Sequence, residues 1–295
     1  MQKEKEIVDK AYSFRIVPNK EQKELINKNI GCARFVYNHF LALAKDDKYQ
    51  SYSKYSAELT ILKNDYFWLR EVDSISLQQC LKDLDNAFKR FFKSLGGFPK
   101  FKSKKNNKQS YRTQYFKRSC GTESIEIKDN KIKLPKLGWI KFRKSRELTG
   151  KIQNVTIRKS KARKYYISIC VQEEVEKLPQ TDKAIGIDLG LKDFLITSNG
   201  EKVSNPKILS KYEKKIARLN KRLAKKEEGS NNWYKEKHKL ARVHEKVANI
   251  RKDFLHKLST QLISENQTIV VESLKVKNML KNSRLTKTFN LLTQC

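Results

Sequence analysis

The sequence has few acidic residues, no paired cysteines and no long apolar run. Its 295 residues contain 65 Lys and Arg against 32 Asp and Glu, a formal net charge of +33. Without a long apolar run or an apolar segment behind the charged N-terminus, neither a membrane span nor a secretion signal is expected. The positive charge is not confined to one amphipathic helix, which argues against a membrane surface as the partner. A polyanion is the natural partner for this excess, and nucleic acid is the first candidate.

The five cysteines are spaced too irregularly to form a metal site. They are Cys32, Cys80, Cys120, Cys170 and Cys295, with no Cys-x-x-Cys pair among them, and the four His residues do not complement them. We therefore expect no zinc site and mostly buried, reduced thiols, as in a cytoplasmic protein. The hydrophobic content of 38% is that of a folding chain, long enough for two or three domains.

The first third of the chain reads as one strand followed by a helical module. Residues 12–18 alternate apolar and polar side chains, which predicts a strand. Asn19 is placed to cap a helix whose apolar residues, three or four apart, run to about Ala44. Two more helices are expected, one ending near Trp68 and one beginning at Ser74 or Ser76, before Gly96-Gly97 stops the pattern.

Residues 99–119 are basic and contain no acid. Basic residues interleaved with aromatic ones suggest phosphate contact together with stacking on bases or sugars, although a charge run is often only a solvated face. The aromatic residues are Phe101, Tyr111, Tyr115 and Phe116, and the predicted nucleic-acid contacts are Lys100, Lys102, Lys104, Lys105, Arg112, Tyr115, Lys117 and Arg118.

The following segment, up to Glu176, has a β pattern. Several short alternating strands predict a small barrel, completed by the strand near the N-terminus. A hairpin tip at residues 158–164 carries three more predicted contacts, Arg158, Lys161 and Arg163. Residues 175–181, which include Pro179, are the expected linker to the last part of the chain.

Two acidic residues follow β-branched runs in the last part of the chain. Asp188 ends the run Ala184–Ile187, and Glu272 directly follows Thr268–Val271. An Asp before a turn often only caps its own backbone. However, the order of strand with acid, hairpin at Asn199-Gly200, helices and strand with acid is that of a ribonuclease-H-like core. Two such carboxylates at one sheet edge could bind a hard cation such as Mg²⁺.

Two long helical patterns separate these two acids and form a predicted hairpin over residues 207–263. The hairpin has a narrow apolar seam, broken at Gly229. Its outer faces are rich in Lys and Arg with few acids nearby, so contact with a nucleic-acid backbone is as plausible as simple solvation. The predicted contacts are Lys214, Arg218, Arg222, Arg242 and Arg251.

Five motifs in order resemble the TnpB (OrfB) family, the RNA-guided nucleases encoded by bacterial insertion sequences. They lie at residues 34–38 (Arg-Phe-Val-Tyr-Asn), 81–88 (Leu-Lys-Asp-Leu-Asp-Asn-Ala-Phe), 98–102 (Phe-Pro-Lys-Phe-Lys), 186–190 (Gly-Ile-Asp-Leu-Gly) and 270–274 (Val-Val-Glu-Ser-Leu). The resemblance covers most of the chain and is specific because all five occur in the family's order.

The resemblance implies an α+β multidomain protein. A wedge β-barrel is expected at residues 1–18 and 99–180, a helical recognition domain inserted at 19–98, and a RuvC-like domain at 181–295. It further implies a guide RNA, double-stranded target DNA with a short flanking motif, no membrane partner, and a bacterial cytoplasmic location at the nucleoid. Asp188 and Glu272 match the first catalytic Asp and the Glu of the RuvC core, and both are candidate metal ligands.

The family's zinc ribbon and third catalytic Asp have no counterpart in this sequence, so we expect a truncated RuvC-like core. The leading hypothesis is therefore a guided DNA binder without cleavage, acting as a transcriptional repressor, and enzymatic activity is not expected. The alternatives are an RNA-guided Mg²⁺-dependent endonuclease or transposase accessory protein, a decayed fragment, and RNA-independent DNA binding by the helical module. Mg²⁺ remains a possible cofactor through Asp188 and Glu272.

Overall fold

The computed structural model describes residues 5–46, 49–105, 109–190 and 192–273, without the side chains of residues 46 and 209. The chain separates into two compact units between Glu176 and Lys177. Both units contain helices and strands, so the α+β class is confirmed. None of the described helices is long and apolar enough to cross a bilayer.

The first unit combines a seven-stranded antiparallel sheet with a helical segment that follows the first strand. The strand order is β2-β6-β7-β1-β5-β4-β3. Its elements are β1 (Lys5–Val17), α1 (Lys20–Asp46), α2 (Tyr52–Asp65), a short 3-10 helix (Phe67–Arg70), α3 (Ser74–Phe92), β2 (Gln109–Gln114), β3 (Glu126–Lys128), β4 (Lys131–Leu134), β5 (Gly138–Phe142), β6 (Lys151–Lys159) and β7 (Tyr165–Glu176).

Side-chain alternation explains the sheet of the first unit. Along β7, Tyr165, Ile167, Ile169 and Val171 are buried on one face, as the period of two requires. β1 begins seven residues before the predicted strand at Tyr12, because its ladder with β7 continues to the pair Lys5 and Glu176. The first two residues of the predicted linker, Val175 and Glu176, therefore belong to the strand β7.

Two helices of the first unit, α1 and α3, begin at side-chain caps. The backbone N–H of Gln22 donates to Asn19 Oδ1 at 2.8 Å, and Gln22 Oε1 accepts from the Asn19 N–H at 3.0 Å, which is a reciprocal capping box. The predicted cap at Asn19 is thus confirmed. At α3 the cap is Asp73, whose carboxylate accepts from the Ile75 N–H at 3.1 Å, so the helix begins at Ser74.

The second unit has a four-stranded sheet in the order β10-β9-β8-β11. β8 and β9 pair antiparallel, β9 and β10 pair antiparallel, and β11 pairs parallel with β8. Its elements are β8 (Ala184–Asp188), β9 (Asp193–Thr197), β10 (Lys202–Ser204), α4 (Ile208–Ala224), α5 (Asn231–Glu265) and β11 (Thr268–Val271).

The core of the second unit is small. Leu219 of α4 and Val243 and Val247 of α5 are buried along the apolar seam, and the two helices pack on each other. Phe194 of β9 contacts Phe254 of α5 edge to face, with ring centroids 5.1 Å apart. β8 is the first strand of this unit and β11 is the last one described. Because the two strands are parallel and in register, their carboxyl ends lie side by side at the same edge of the sheet.

Candidate nucleic-acid interface and carboxylate pair

Two basic segments that are distant in sequence come together in the first unit. Lys104 follows α3, whereas Lys159 and Arg163 belong to the β6–β7 hairpin. The pKa of Lys159 is lowered by burial and then by the positive charges of Arg163 and Lys104. We call these three residues the basic junction. Because like charges repel, an anion bound between them would relieve this repulsion.

The hairpin turn exposes its cations. The Arg163 N–H donates to the Ser160 carbonyl at 3.0 Å, and the Ser160 N–H donates to the Lys164 carbonyl at 2.8 Å. Arg163 has a φ of 55°, a conformation that residues other than Gly adopt mainly in tight turns. Lys161 and Arg163 are both exposed, and Lys159 is fixed by donating to Asn27 Oδ1 at 2.7 Å.

Asn38 of α1 holds the beginning of the basic segment. Its side-chain amide donates to the Lys102 carbonyl at 2.9 Å, and its Oδ1 accepts from the Lys102 N–H at 2.8 Å. Although Lys102 is exposed as a whole, its ammonium lies 3.8 Å from the centre of the Tyr37 ring. Burial of that ammonium lowers the pKa of Lys102. Two of the family-like motifs therefore touch each other.

The same loop is anchored on either side of Lys102. Phe98 packs edge to face on Phe88 of α3, with ring centroids 5.5 Å apart. Arg34 of α1 donates to Gln109 Oε1 at 3.1 Å, and Gln109 Nε2 donates to the Ser103 carbonyl at 3.1 Å. These contacts hold the loop against α1 and α3.

Some of the predicted contact residues are engaged within the protein. Arg112 is half-buried and pairs with Asp83 at 2.5 Å. Tyr115 hydrogen-bonds Glu123 through its side chain, which raises the pKa of the phenol. Tyr111 is only 5% exposed, so the prediction that it stacks on bases is wrong. The reason is that β2 points Tyr111 into the core and Arg112 outward.

The other predicted basic residues of the first unit remain exposed. The guanidinium of Arg158 lies over the Tyr166 ring, 5.2 Å from its centre. The remaining exposed ones are Lys100, Lys105, Lys117 and Arg118. Their contact with nucleic acid stays a prediction.

In the second unit, four of the five predicted basic residues are exposed on α4 and α5. These are Lys214, Arg218, Arg222 and Arg242. Arg251 differs because it is half-buried and lines a small cavity with Phe194 and Phe254. Arg251 is therefore less available to a ligand than the other four.

The register of the second sheet brings Asp188 and Glu272 to neighbouring positions. In the parallel ladder Val271 pairs with Ile187, and the two acids are the next residue of each chain segment. Adjacent strands are about 4.8 Å apart, and residues in register on parallel strands lie on the same face. Both acids are exposed. The structure thus brings the two predicted carboxylates to one edge.

The backbone on either side of Asp188 is tightly held. The Ser198 N–H donates to the Gly186 carbonyl at 2.8 Å, and the Gly186 N–H donates to Ser198 Oγ at 3.1 Å. Beyond Asp188, a Cβ on Gly190 would lie 2.8 Å from the Asp193 carbonyl oxygen. Only Gly fits this close approach without a shift of the turn.

Carboxylate oxygens suit a hard divalent cation such as Mg²⁺. Within the described ranges, however, no three His, Cys, Asp or Glu side chains are grouped closely enough to hold a metal ion. Asp188 and Glu272 therefore form a pair of donors, which fits weak binding of one ion but is fewer than a two-metal hydrolytic site requires.

Sequence reasoning did not single out Asn38, Lys159 or Arg34 as functional. Asn38 and Arg34 lie in a family-like motif, which was a signal, but their contacts are with residues more than sixty positions away. The role of Lys159 depends on its proximity to Lys104, and no pattern of neighbouring residues in the sequence predicts that proximity.

Two family models match the chain. One, described as "Probable transposase", matches residues 168–283, and the other, described as "Helix-turn-helix domain", matches residues 8–53. In the structure the latter range forms β1, the single long helix α1 and only the first residues of α2.

Relatives match over nearly the whole chain. A protein of Escherichia coli K12 named "Putative RNA-guided DNA endonuclease InsQ" is 36% identical over 281 residues, covering 92% of this chain and 68% of the relative. A protein of Streptomyces pristinaespiralis named "Putative RNA-guided DNA endonuclease" is 34% identical over 289 residues, covering 95% of this chain and 70% of the relative. The chain therefore belongs to the TnpB (OrfB) family of insertion-sequence proteins.

Proposed function

We propose that this chain binds a guide RNA and matched double-stranded DNA without cutting the DNA, and that it acts as a transcriptional repressor at the bacterial nucleoid. The observation that carries the proposal is the combination of the basic junction with a carboxylate site that has two donors among the described residues. The names of the relatives, which describe RNA-guided DNA endonucleases, support guide RNA and DNA as partners.

The second unit fits a ribonuclease-H-like, RuvC-type core. A three-stranded antiparallel meander followed by helices and a strand parallel to the first gives the observed order β10-β9-β8-β11. That topology puts an acid at the end of the first strand beside an acid after the last one. The proposed RuvC-like domain covers residues 181–295.

For the first unit we propose a wedge barrel over residues 1–18 and 99–180, with a helical recognition domain at 19–98. The edge strands β2 and β3 follow each other in the chain, and backbone hydrogen bonds link the segment between them. The Ser124 N–H donates to the Phe116 carbonyl at 3.0 Å, and Lys117 bridges Glu123. These bonds support closure of the sheet because they join its two edges at one end.

In this account the nucleic acids recognise each other and the protein recognises their shape. Base pairing between guide and target determines which DNA sequence is bound. Basic side chains of the protein contact phosphates, and the protein reads a short flanking motif on the DNA directly. The basic junction and the exposed cations of α4 and α5 supply the phosphate contacts.

The donor count among the described residues supports the proposal of binding without cleavage. A bound divalent cation would polarise a phosphodiester and activate water, and in two-metal sites it would neutralise both the attacking and the leaving oxygen. Asp188 and Glu272 would hold one such ion and orient it at the sheet edge. Two carboxylates do not provide the charge to hold a second ion beside it.

An RNA-guided Mg²⁺-dependent endonuclease is the second candidate. The observation in its favour is that both acids are present and lie at neighbouring register positions. A third carboxylate from a different segment or from another chain would complete the site. In that case, cleavage would require Asp188 and Glu272 together.

The test is a filter-binding and cleavage assay with guide RNA and matched or mismatched DNA. We expect tight binding of matched DNA, no nicking in Mg²⁺ or Mn²⁺, and unchanged binding by the Asp188→Ala and Glu272→Ala variants. Metal-dependent nicking that both variants abolish would establish the endonuclease instead. Sequence-selective binding of duplex DNA without RNA would contradict both candidates and favour plain DNA binding.

A further inference from the structure

The C-terminal end of α3 and the loop after it carry a group of exposed aromatic side chains, which we call the aromatic patch. Its members are Phe91, Phe92 and Phe98. All three are exposed, and Phe92 is the most exposed at 59%. The ring of Phe91 lies 5.6 Å from that of Phe92 and 5.3 Å from that of Phe98, measured between centroids. Contiguous exposed apolar side chains of this kind mark interaction sites.

The buried ring of Phe88 supports the patch from the core. It lies within 25° of parallel to the ring of Phe92, with centroids 6.0 Å apart, and edge to face with Phe98 at 5.5 Å. Phe88 itself is buried among the core residues of the first unit. Rings that are already packed in this way lose little conformational freedom when a ligand stacks on them.

The end of α3 holds a cation beside the patch. The Leu95 N–H donates to the Arg90 carbonyl at 2.9 Å, and the Ser94 N–H donates to the Phe91 carbonyl at 2.9 Å. With Ser94 at a φ of 57°, this is the Schellman motif that closes many helices. The Arg90 guanidinium in turn donates to the Leu95 carbonyl at 3.4 Å. The turn therefore keeps Arg90 next to the aromatic rings.

The sequence around the patch is basic. Residues 86–122 contain no Asp or Glu. Arg90, Lys93 and Lys100 are exposed, and none of the three pairs with a carboxylate in the part of the chain that the structure describes. The end of a helix carries about half a negative charge, which is less than these three cations together. The charge around the patch therefore favours an anion.

The two carboxylates of α3 that precede the patch are already paired. Asp83 lines a groove together with Arg90, but it pairs with Arg112 at 2.5 Å. Asp85 pairs with Lys89 at 2.7 Å. Neither carboxylate therefore opposes an anion with an unbalanced charge.

We propose that the aromatic patch stacks the bases of unpaired nucleotides, while Arg90, Lys93 and Lys100 contact their phosphates. Unpaired bases expose faces that stack on aromatic rings, whereas a duplex hides those faces. Charge complementarity selects this occupant, because an apolar protein surface would leave the three cations without partners. The patch is also continuous with the basic loop, since Phe98 is one of the residues that anchor that loop.

This inference rests on the proposed function, which supplies unpaired nucleotides from two sources. A guide RNA that pairs with one strand of a DNA duplex displaces the other strand. The guide RNA itself has unpaired segments outside its pairing region. Both sources present the same chemistry, a base on a sugar-phosphate chain, and they differ in the 2′-hydroxyl group.

The experiment is fluorescence anisotropy of the full chain, freed of nucleic acid by nuclease, with labelled oligonucleotides of about 15 nucleotides. The probes are oligo-dU, oligo-rU and an abasic deoxyribose-phosphate chain of the same length, which keeps the phosphates but has no bases. Phe92→Leu should weaken binding of the probes with bases about fivefold or more and leave the abasic probe unchanged. Lys93→Ala should weaken all three probes, because it removes a phosphate contact.

Phe67→Leu is the matched control. Phe67 is also an exposed aromatic residue, but its neighbour Tyr66 lines a groove that contains Glu58 and Asp65. This variant should therefore bind every probe as the wild type does. Circular dichroism checks that each variant is folded, and Phe91→Leu provides the same test if Phe92→Leu does not fold.

The comparison of probes with and without bases decides the proposal. Equal binding of both kinds by the wild type would overturn it, and so would an equal effect of Phe92→Leu on both kinds. A protein partner would then be the remaining occupant of the apolar surface. Where the base-dependent loss is found, a preference for oligo-dU assigns the patch to the displaced DNA strand, and a preference for oligo-rU assigns it to the guide RNA.

Guided binding of matched DNA separates this proposal from the proposed function. If guided binding occurs and Phe92→Leu affects no probe, the proposal for the patch fails and the proposed function stands. If the base-dependent loss is found but no guided binding occurs, the proposed function fails and the patch remains a site for single-stranded nucleic acid.

Discussion

Asn38 shows how one polar side chain can organise the nucleic-acid surface. Its amide reproduces the donor and acceptor pair of a strand neighbour, with bonds of 2.8 and 2.9 Å to the backbone of Lys102. An exposed hydrogen bond contributes little to global stability, about 0.5–1.5 kcal/mol at most. We therefore infer that the main effect of this contact is to order the basic loop for nucleic-acid binding.

Replacing Asn38 with Ala should weaken binding of the guide RNA about three- to tenfold while the melting temperature changes little. The loop must then lose more conformational freedom on binding, which costs affinity without loss of a direct contact. Fluorescence anisotropy with labelled RNA measures the effect. Asn130→Ala, at an exposed position of the turn between β3 and β4, is the control and should not change affinity. Equal losses in both variants would contradict the assignment.

Glu173 is a buried carboxylate on the sheet of the first unit. It accepts hydrogen bonds from Lys10 at 2.8 Å, from Thr149 at 2.8 Å and from the Tyr12 hydroxyl at 2.9 Å. The bonds from Lys10 and Thr149 lower the pKa of Glu173 below its ordinary value of 4.5. The charged form is therefore the one that the folded state stabilises.

The pH dependence follows from the sign of this shift. Because the unfolded chain takes up a proton at a higher pH than the folded one, the contribution of Glu173 is fully present above about pH 4.5 and is lost as the pH falls through the lower folded pKa. Glu173→Gln should be less stable at neutral pH and show a shallower loss between about pH 5 and 3 in urea titrations. The exposed neighbour Glu174→Gln is the control, and identical acid profiles of wild type and Glu173→Gln would refute the argument.

At the scale of elements, the turn between β8 and β9 determines where the first acid lies. A Cβ on Gly190 would approach the backbone oxygen of Asp193 to 2.8 Å. Gly190→Ala should therefore move the turn and lower the unfolding free energy of the second unit by about 1–3 kcal/mol.

Gly97→Ala is the matched control for Gly190→Ala, because a Cβ there meets nothing within 4 Å. Thermal unfolding of the two variants measures the difference. If Gly190→Ala is as stable as Gly97→Ala, the turn is freer than the contact indicates.

Long helices and alternating strands were predictable, because their periodicity can be read from residues that are close together in the sequence. The apolar positions of α1 and α3, including Ile26, Val36 and Leu81, are buried as their spacing requires. The strand β2 was not predicted, because its sequence Gln-Ser-Tyr-Arg-Thr-Gln has little apolar content. Its pairing with β6 fixes it, through six residue pairs that are far apart in sequence.

The candidate site was also predictable only in part, because some of its contacts join residues that are far apart in sequence. Asp188 and Glu272 each follow an apolar run, so their shared edge could be inferred from order alone. The basic junction could not, because the approach of Lys104 to the β6–β7 hairpin depends on the anchoring of a loop by Asn38 and Arg34.

At the scale of the whole molecule, the excess of positive charge makes binding depend on salt. Each phosphate neutralised by a cation releases condensed counterions, and the slope of log affinity against log salt changes by about 0.9 per duplex phosphate. Lys104→Ala, Lys159→Ala and Arg163→Ala should each reduce the magnitude of this slope by about one, equally for all sequences.

Lys54→Ala, on the face of α2 that lies beside carboxylates, is the control for these three variants. It removes the same charge and should leave the slope unchanged. If all four variants have the same effect, net charge alone explains binding and the basic junction has no special part in it.

The most direct test of the central claim is to sequence the RNA that co-purifies with the chain. The protein is expressed together with its native flanking DNA and purified at high salt, which removes weakly held nucleic acid. We predict one dominant RNA with a constant 5′ scaffold and a short variable 3′ end. Absence of RNA, or a random sample of cellular RNA, would contradict guide-dependent binding.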